Sequence, residues 1–405
     1  MNPVIVVHHH EITLKGGNRG FFERTLMANI RMVLADYASR MKIKGGYGRF
    51  VLEFTSVDNI EEIAQRLTTV FGLANICTGL KVAQDIDVFC SIAEEMLRGR
   101  QFNTIKVDTR RPDKNFPLNS VEVNVKVGGY LCDTFNVRAN LSKPDETIYI
   151  EIVDKYAYVY RSKLQGAAGL PVGASGKVVS LLSAGFDSPV ASWRMLRRGC
   201  SVMYVHFHSM PYTSQHALNQ VRELVTILTR YQYHSKLFIV PFAEVQNELV
   251  LQTPQHLRVI FYRRFMVRVA EAIARKRKAE ALVTGEAVGQ VASQTLRNIR
   301  VIDDVATLPI LRPLAGMDKE ETMATARLIG THDISNEPYD DCCSFLAPRH
   351  PATRATLKEV AEAESKVNVQ QLVDMALQQV TSEEFMLPQW KERLAKRAGV
   401  KVVEG

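Results

Sequence analysis

Cysteine is scarce in this chain. Six occur in 405 residues, at positions 77, 90, 132, 200, 342 and 343, and none forms a Cys-x-x-Cys pair. That excludes a disulfide scaffold and argues against a zinc or iron–sulfur centre, so no metal ligand is assigned. Long apolar runs are also missing: none approaches the ~18 residues of a membrane span. The opening residues, MNPVIVVHHHE, carry no basic leader and no small-residue cleavage site. A cytosolic protein with no membrane partner is therefore expected. Two common nucleotide signatures are absent as well. GASGKVV (173–179) lacks the Ser or Thr that must follow Lys177 and has Pro171 where a Walker A loop needs glycine. No G-x-G-x-x-G follows an apolar strand, so a dinucleotide-binding Rossmann fold finds no support.

The chain does have an excess of positive charge, with 51 Lys+Arg against 43 Asp+Glu, or +8. Its distribution says more than its total. Residues 1–50 hold eight basic and three acidic residues, and residues 257–278 eight basic and one acidic, so the remainder is slightly acidic. Two solvated helix faces would give the same count; a polyanionic partner is the alternative.

Apolar spacing predicts three domains, near the number that 405 residues imply. Residues 1–57 read as strand 4–7, helix 21–37 and strand 50–54, with a turn at Gly45, Gly46 and Gly48. The His8–His10 triplet has too few companions for a metal site. Residues 58–165 read as helices 59–73 and 88–100 and strands 104–111, 121–129, 148–153 and 157–162. In DTRRPDKNFP (108–117), Arg110, Arg111 and Lys114 surround Phe116. A basic loop with an aromatic suits RNA, and a plain surface loop would look alike. The glycine-rich stretch 166–176 reads as a linker. From 177 to 405, strands 177–182, 201–208, 236–242 and 280–287 alternate with helices, which predicts a doubly wound parallel α/β sheet. Ligands of such sheets bind beyond the carboxyl ends of the strands.

SAGFDS (183–188) sits between the apolar strand KVVSLL and a helix opening at Pro189. Ser188 is the expected N-cap, with proline at the first helical position. A small-residue loop entering a helix N-terminus is a phosphate site. Ser183 and Ser188 would add hydroxyl donors and Gly185 would allow close approach. Asp187 would hold Mg²⁺ or orient the loop, and it is counted with the catalytic set.

SAGFDS resembles the pyrophosphate-binding PP-loop, usually SGGxDS, of the ATP pyrophosphatases; the departure is Ala184. EITLKGGNRGFFERTLMANI (11–30) resembles the ferredoxin-like region of tRNA 4-thiouridine synthetases. Residues 104–129 and 166–178 resemble their THUMP domain and its exit linker. HFHSMPYTS (206–214), TGEAVGQVASQT (284–295) and DDCCSFLAPRHPAT (340–353) are similar to their synthetase domain. The resemblance runs through essentially the whole chain, apart from His8–His10. It implies a PP-loop (adenine-nucleotide hydrolase-like) domain preceded by α+β ferredoxin-like and THUMP domains. It also implies ATP contacts from the backbone of Leu181 and Leu182, adenine packing at His206 and Phe207, a phosphate contact from Arg263, and a loop flanked by Gly285 and Gln294.

The implied reaction is ATP-dependent adenylation of O4 of uridine 8 in tRNA, followed by persulfide sulfur transfer to give 4-thiouridine. ATP and Mg²⁺ would be required. The resemblance implies that one of Cys342 and Cys343 carries the sulfur, with the choice left open. Longer members carry a rhodanese domain, whereas this chain ends at 405 after an expected helix at 389–398. A cysteine desulfurase would then supply the persulfide directly. A homodimer is implied, and a contribution to thiamine thiazole synthesis is left open. RNA contacts are expected from Arg110, Arg111 and Lys114, and from Arg275, Lys276, Arg277 and Lys278.

Overall fold

The structure is a computed structural model that describes residues 2–46, 48–56, 59–340, 342 and 346–388. The helix expected at 389–398 lies outside the described residues. The chain divides into two compact units, 1–170 and 171–405.

The first unit is built on nine described strands: β1 Asn2–His8, β2 Met41–Gly46, β3 Arg49–Phe54, β4 Asn75–Ala83, β5 Thr104–Arg110, β6 Arg138–Ala139, β7 Glu146–Val153, β8 Tyr156–Tyr160 and β9 Leu164–Gln165. They form one sheet in the order β2-β3-β1-β4-β8-β7-β5-β6, with β9 beside β4. The helices are α1 Arg19–Val33, α2 Ile60–Leu67, α3 Ile86–Leu97 and α4 Ser120–Phe135. The long strand β4 pairs with β1 on one side and β8 on the other, and so joins the two halves of this sheet.

The strand expected at 121–129 is helix α4 instead. Val121, Val123, Val125 and Val127 alternate as a strand would, yet Val123, Val127 and Leu131 also fall one helical turn apart. These three are buried, while Val121 and Val125 face solvent. Asn119 decides between the two readings. Its side chain accepts from the Val121 and Glu122 N–H groups, and Glu122 returns the bond to the Asn119 N–H, a capping box that starts a helix. Gly45 and Gly46, expected in a turn, end strand β2.

The glycine-rich stretch after β9 is tied down at both ends. The Gly166 and Ala168 N–H groups donate to Ala74 and Leu73, and those of Gly173 and Ser175 donate to Gly199. A Cβ at Gly166 would lie 2.3 Å from the Leu73 oxygen, so this glycine permits a close backbone approach.

The second unit carries six described strands: β10 Lys177–Leu181, β11 Ser201–His208, β12 His234–Pro241, β13 Ala281–Val283, β14 Ile310–Leu311 and β15 Thr381–Met386. Their order is β14-β13-β10-β11-β12-β15. All pairs are parallel except β12 with β15, an edge strand foreseen by no motif. The helices are α5 Asp187–Arg197, α6 Gln215–Gln232, α7 Ala243–Gln252, α8 Arg258–Lys276, α9 Leu296–Asp303, α10 Lys319–Ile329, α11 His332–Asn336, α12 Leu357–Glu364 and α13 Val369–Gln378.

Both faces of this sheet are covered. Val179, Val205, Phe207, Phe238 and Val240 pack with α7, α8, α12 and α13 in one apolar core. Residues of the opposite parity face α5 and α6: Ser180 bonds Ser192 of α5, and Gln232 of α6 bonds Val202 and Tyr204. Chain order reverses between β10 and β13, since β10 leads on to β11 on its other side. A crevice beyond the carboxyl ends of these strands is where a ligand of such a sheet sits.

Candidate active site

That crevice contains a cavity of about 460 Å³. The strand β10 delivers Leu181 and Leu182 to its wall, and the loop Ser183–Ser188 follows directly. The Ser183 N–H donates to Ser188 Oγ at 2.9 Å, which curls the loop around the start of α5. The helix begins at Asp187, so Phe186 is the N-cap and Ser188 lies inside the first turn. Ser188 is therefore not the N-cap; its hydroxyl is turned back onto Ser183. The N-cap Phe186 makes no side-chain cap bond to α5, and the helix dipole favours an anion at this end. Pro189 falls in that first turn, where proline costs no helical hydrogen bond.

The departure at Ala184 is harmless. It is 1% exposed and is not among the residues with positive φ, so no glycine is required. Gly185 faces the Tyr339 hydroxyl, which would lie 2.8 Å from a Cβ placed there.

The end of β11 brings in His206 and Phe207. His206 Nδ1 is 2.9 Å from the Leu182 carbonyl oxygen, which only accepts, so Nδ1 carries the proton. Phe207 packs edge-on against Phe242 with centroids 5.3 Å apart. From α8, Arg263 lines the same cavity. The segment after β13 closes the far wall with Gly285 and Gln294. Gln294 is buried, and its Oε1 has no hydrogen-bond partner among the described residues. A ligand N–H or O–H would satisfy it.

Asp187 sits at the loop's end. Burial pushes its carboxyl up from the ordinary value, against the hydrogen bond from Gln290 Nε2 at 3.1 Å and the charge of Lys319. A cation placed against it would favour the ionised form. Among the described residues no cluster of His, Cys, Asp and Glu could hold a metal ion by itself.

The structure thus brings the nucleotide candidates to one cavity. It also adds residues that sequence reasoning missed. Thr284, Glu286 and Gln290 lie inside TGEAVGQVASQT, but motif text alone does not rank them. Lys319 and Tyr339 come from distant segments and carried no local signal. Glu286 is already committed, accepting from Thr284 at 3.0 Å and from Arg312 at 2.8 Å.

Cys342 reaches the cavity too. It is 9% exposed, and its carbonyl accepts from Gln246 Nε2 at 2.8 Å. Cys343 lies outside the described residues. Cys77, Cys90 and Cys200 are buried in the fold and Cys132 partly so. Burial pushes the Cys77 thiol up to about 12.

The expected RNA residues are placed unevenly. Arg110 ends β5 and borders a separate cavity of about 600 Å³ in the first unit, beside His8–His10. Arg111 donates to the Phe116 carbonyl at 2.6 Å, and Phe116 is buried against Phe89. Phe116 is therefore core and cannot stack on a base. His8 lies 2.7 Å from Glu151, whose carboxylate Arg49 and Tyr160 also bind. On α8, Arg275 bonds Glu271 and Thr307, and just past its end Arg277 lies over Phe238 at 5.2 Å. Lys276 and Lys278 are exposed. Arg264 and Arg268, part of the same charge count, both bind Glu364.

Comparison with known proteins gives matches along the chain. Residues 173–369 match the family described as Thiamine biosynthesis protein (ThiI), residues 4–77 the ThiI ferredoxin-like domain, and residues 83–161 the THUMP domain. A protein of Caldanaerobacter subterraneus subsp. tengcongensis named "Probable tRNA sulfurtransferase" is 41% identical over 375 residues, covering 92% of this chain and 98% of its own. One of the same name from Brevibacillus brevis is 38% identical, covering 94% and 96%. Among solved structures, a 4-thiouridine synthetase in complex with RNA and bound ATP matches with a TM-score of 0.86 and 34% identity, over 95% of this chain and 100% of that one. PH1313 from Pyrococcus horikoshii Ot3 matches at 0.64 with 27% identity, over 82% and 100%.

Proposed function

The chain belongs to the ThiI family of tRNA sulfurtransferases, and from that premise we propose that it uses ATP to convert uridine 8 of tRNA to 4-thiouridine. The observation that carries this reading is one cavity holding the PP-loop, the ends of β10 and β11, and Cys342. Activation and sulfur delivery then need no separate sites.

ATP enters as substrate with its adenine at His206 and Phe207. Its phosphates lie toward the uncapped N-terminus of α5, with Ser183, Ser188, Arg263 and Lys319 around them. Mg²⁺, brought in with the phosphates, would screen their charge, and Asp187 is the residue that would hold it. Uridine O4 attacks the α-phosphorus and pyrophosphate leaves. The α5 N-terminus and the two cations stabilise the departing charge. A persulfide on Cys342 or Cys343 then attacks C4 and expels AMP. The second thiol attacks the cysteine sulfur of the resulting mixed disulfide, forming a protein disulfide and releasing 4-thiouridine; a dithiol reductant resets the pair.

The persulfide donor is a cysteine desulfurase, assigned by the chemistry it must deliver. A homodimer is proposed on the family resemblance alone. No helix among the described residues is long and apolar enough to cross a membrane.

The test is mass spectrometry of tRNA nucleosides after incubation with ATP, Mg²⁺ and a persulfide donor. 4-Thiouridine is expected. A different thiolated base, such as a 2-thiolated one, would overturn the choice of acceptor atom. Absence of any tRNA-dependent ATP–pyrophosphate exchange would mark a tRNA-binding protein without catalysis.

A further inference from the structure

Gln246 of α7 lies almost a hundred residues before the cysteine loop, and its side chain is fully buried. Its Nε2 donates to the Cys342 carbonyl at 2.8 Å, and its Oε1 accepts from the Ser209 hydroxyl. Ser209 is equally buried, and its N–H donates to Thr213 Oγ1 at 3.1 Å. A second tie runs in parallel, from the Ser214 N–H to Asp340 Oδ2 at 3.1 Å. The segment from Ser209 to Ser214 directly follows β11, whose end carries His206 and Phe207. The Cys342 backbone is thus clamped to the strand that lines the nucleotide side of the cavity.

At neutral pH a primary amide does both jobs where a carboxylate cannot. The Cys342 carbonyl can only accept, which points Nε2 toward it, and the remaining Oε1 then receives the Ser209 proton. Both bonds are buried, where a donor or acceptor left unpaired is costly. The hydrogen bonds of Gln246 and Ser209 run to Cys342, to each other and to Thr213, and not to the PP-loop.

We propose that Gln246 is a positioning residue for sulfur transfer: it fixes the Cys342 backbone at the cavity wall and takes no part in adenylation. This rests on the reading that Cys342 or Cys343 carries the sulfur. The test uses Gln246→Glu in the full chain. The carboxylate keeps an acceptor for Ser209 but presents a second acceptor to the Cys342 carbonyl. Protonated, it can donate again.

With tRNA present, ATP–pyrophosphate exchange should stay within about twofold of the parent, while single-turnover thiolation falls by about tenfold or more. KM values for ATP and tRNA should hold and kcat should carry the loss. The variant-to-parent ratio should recover on lowering the pH from about 8 to about 6, as the carboxyl protonates. Alkylation of Cys342 by iodoacetamide, read by mass spectrometry, should change in rate by about threefold or more. Ser209→Ala, which leaves the Nε2 bond but removes the proton on Oε1, should show a smaller loss of the same kind.

Thiolation at the parental rate in both variants would overturn the proposal. So would exchange and thiolation falling together with the melting temperature, since Gln246 would then serve only the fold. If Cys342→Ala and Cys343→Ala each thiolate normally, it is the sulfur step of the proposed function that fails. The alkylation rate would still report whether Gln246 sets Cys342.

Discussion

Gly285 lies so close to Ser188 that a Cβ at position 285 would sit 2.6 Å from the Ser188 nitrogen. The segment after β13 is thereby pressed directly onto the first turn of α5, and only a hydrogen fits between them. The shape of the α5 end of the cavity depends on that contact. Gly285→Ala must displace backbone on one side, a strain of about 1–3 kcal/mol. ATP affinity, measured by calorimetry, should fall by about tenfold or more, with tRNA binding unchanged. Ala184→Gly should leave ATP affinity within about twofold, because Ala184 needs no positive φ.

Glu364 on α12 is shared by two arginines of α8. Arg264 donates to its Oε2 at 2.7 Å and Arg268 at 2.8 Å. Burial alone would push the Glu364 carboxyl up. The hydrogen bonds and charges of Arg268 and Arg264 outweigh that and hold it at about 2. Arg264 is 4% exposed, so Glu364→Ala leaves a buried cation short of its main partner. The expected loss is about 3–5 kcal/mol. Both tryptophans, Trp193 and Trp390, belong to residues 171–405, so urea unfolding followed by tryptophan fluorescence reads this unit. In the parent, the contribution of Glu364 is present above the ordinary value of 4.5 and is lost as pH falls toward about 2.

The Ser183–Ser188 loop is legible in the sequence because its signals are local. A strand, a small-residue turn and a helix start fall within a dozen residues, and SAGFDS contains every group the turn needs. Cys342 is legible as a residue but not as a place, since its carbonyl is bound by Gln246 on distant α7. Lys319 and Tyr339 are invisible for the same reason. Helix α4 reads as a strand because four valines at alternate positions satisfy both periods, and only the Asn119–Glu122 cap separates them. The basic count over 257–278 misleads in part. It cannot show that Arg264 and Arg268 are consumed by one distant glutamate, or that Arg277 lies over Phe238.

Within 257–278, that sorting of charge narrows the RNA expectation to the end of α8. All four are exposed, but Arg275 and Arg277 already bind protein groups. Lys276→Gln with Lys278→Gln should weaken tRNA binding by a few-fold at low salt. Each phosphate left without its lysine lowers the slope of log affinity against log salt by roughly 0.7–0.9, so the pair should lower it by about 1–2. ATP affinity should not move, since neither lysine lines the nucleotide cavity. An unchanged salt slope in a filter-binding titration would remove this patch from the RNA surface.

The first unit has its own acid sensitivity, centred on His9. Its side chain is buried beside Phe50, with ring centroids 5.4 Å apart, and Glu23 is 3.6 Å from Nε2. Burial pulls its pKa down from 6.5 to about 4, more than Glu23 can restore. The folded state therefore binds fewer protons than the unfolded one between those values, and stability rises with pH across that window. Full stability is present above 6.5 and is lost as pH falls toward about 4. The loss should reach up to about 3 kcal/mol. Glu151 acts lower on the scale. Burial would raise its carboxyl, but His8, Tyr160 and Arg49 hold it at about 2, so its contribution survives until pH falls below 4.5. His9→Phe keeps a ring against Phe50 and cannot titrate. Pulse proteolysis in graded urea, read on peptides of residues 1–170, should show the parent weakening between the two His9 values. The variant should be markedly flatter there, and both chains should weaken alike at lower pH, where Glu151 is protonated.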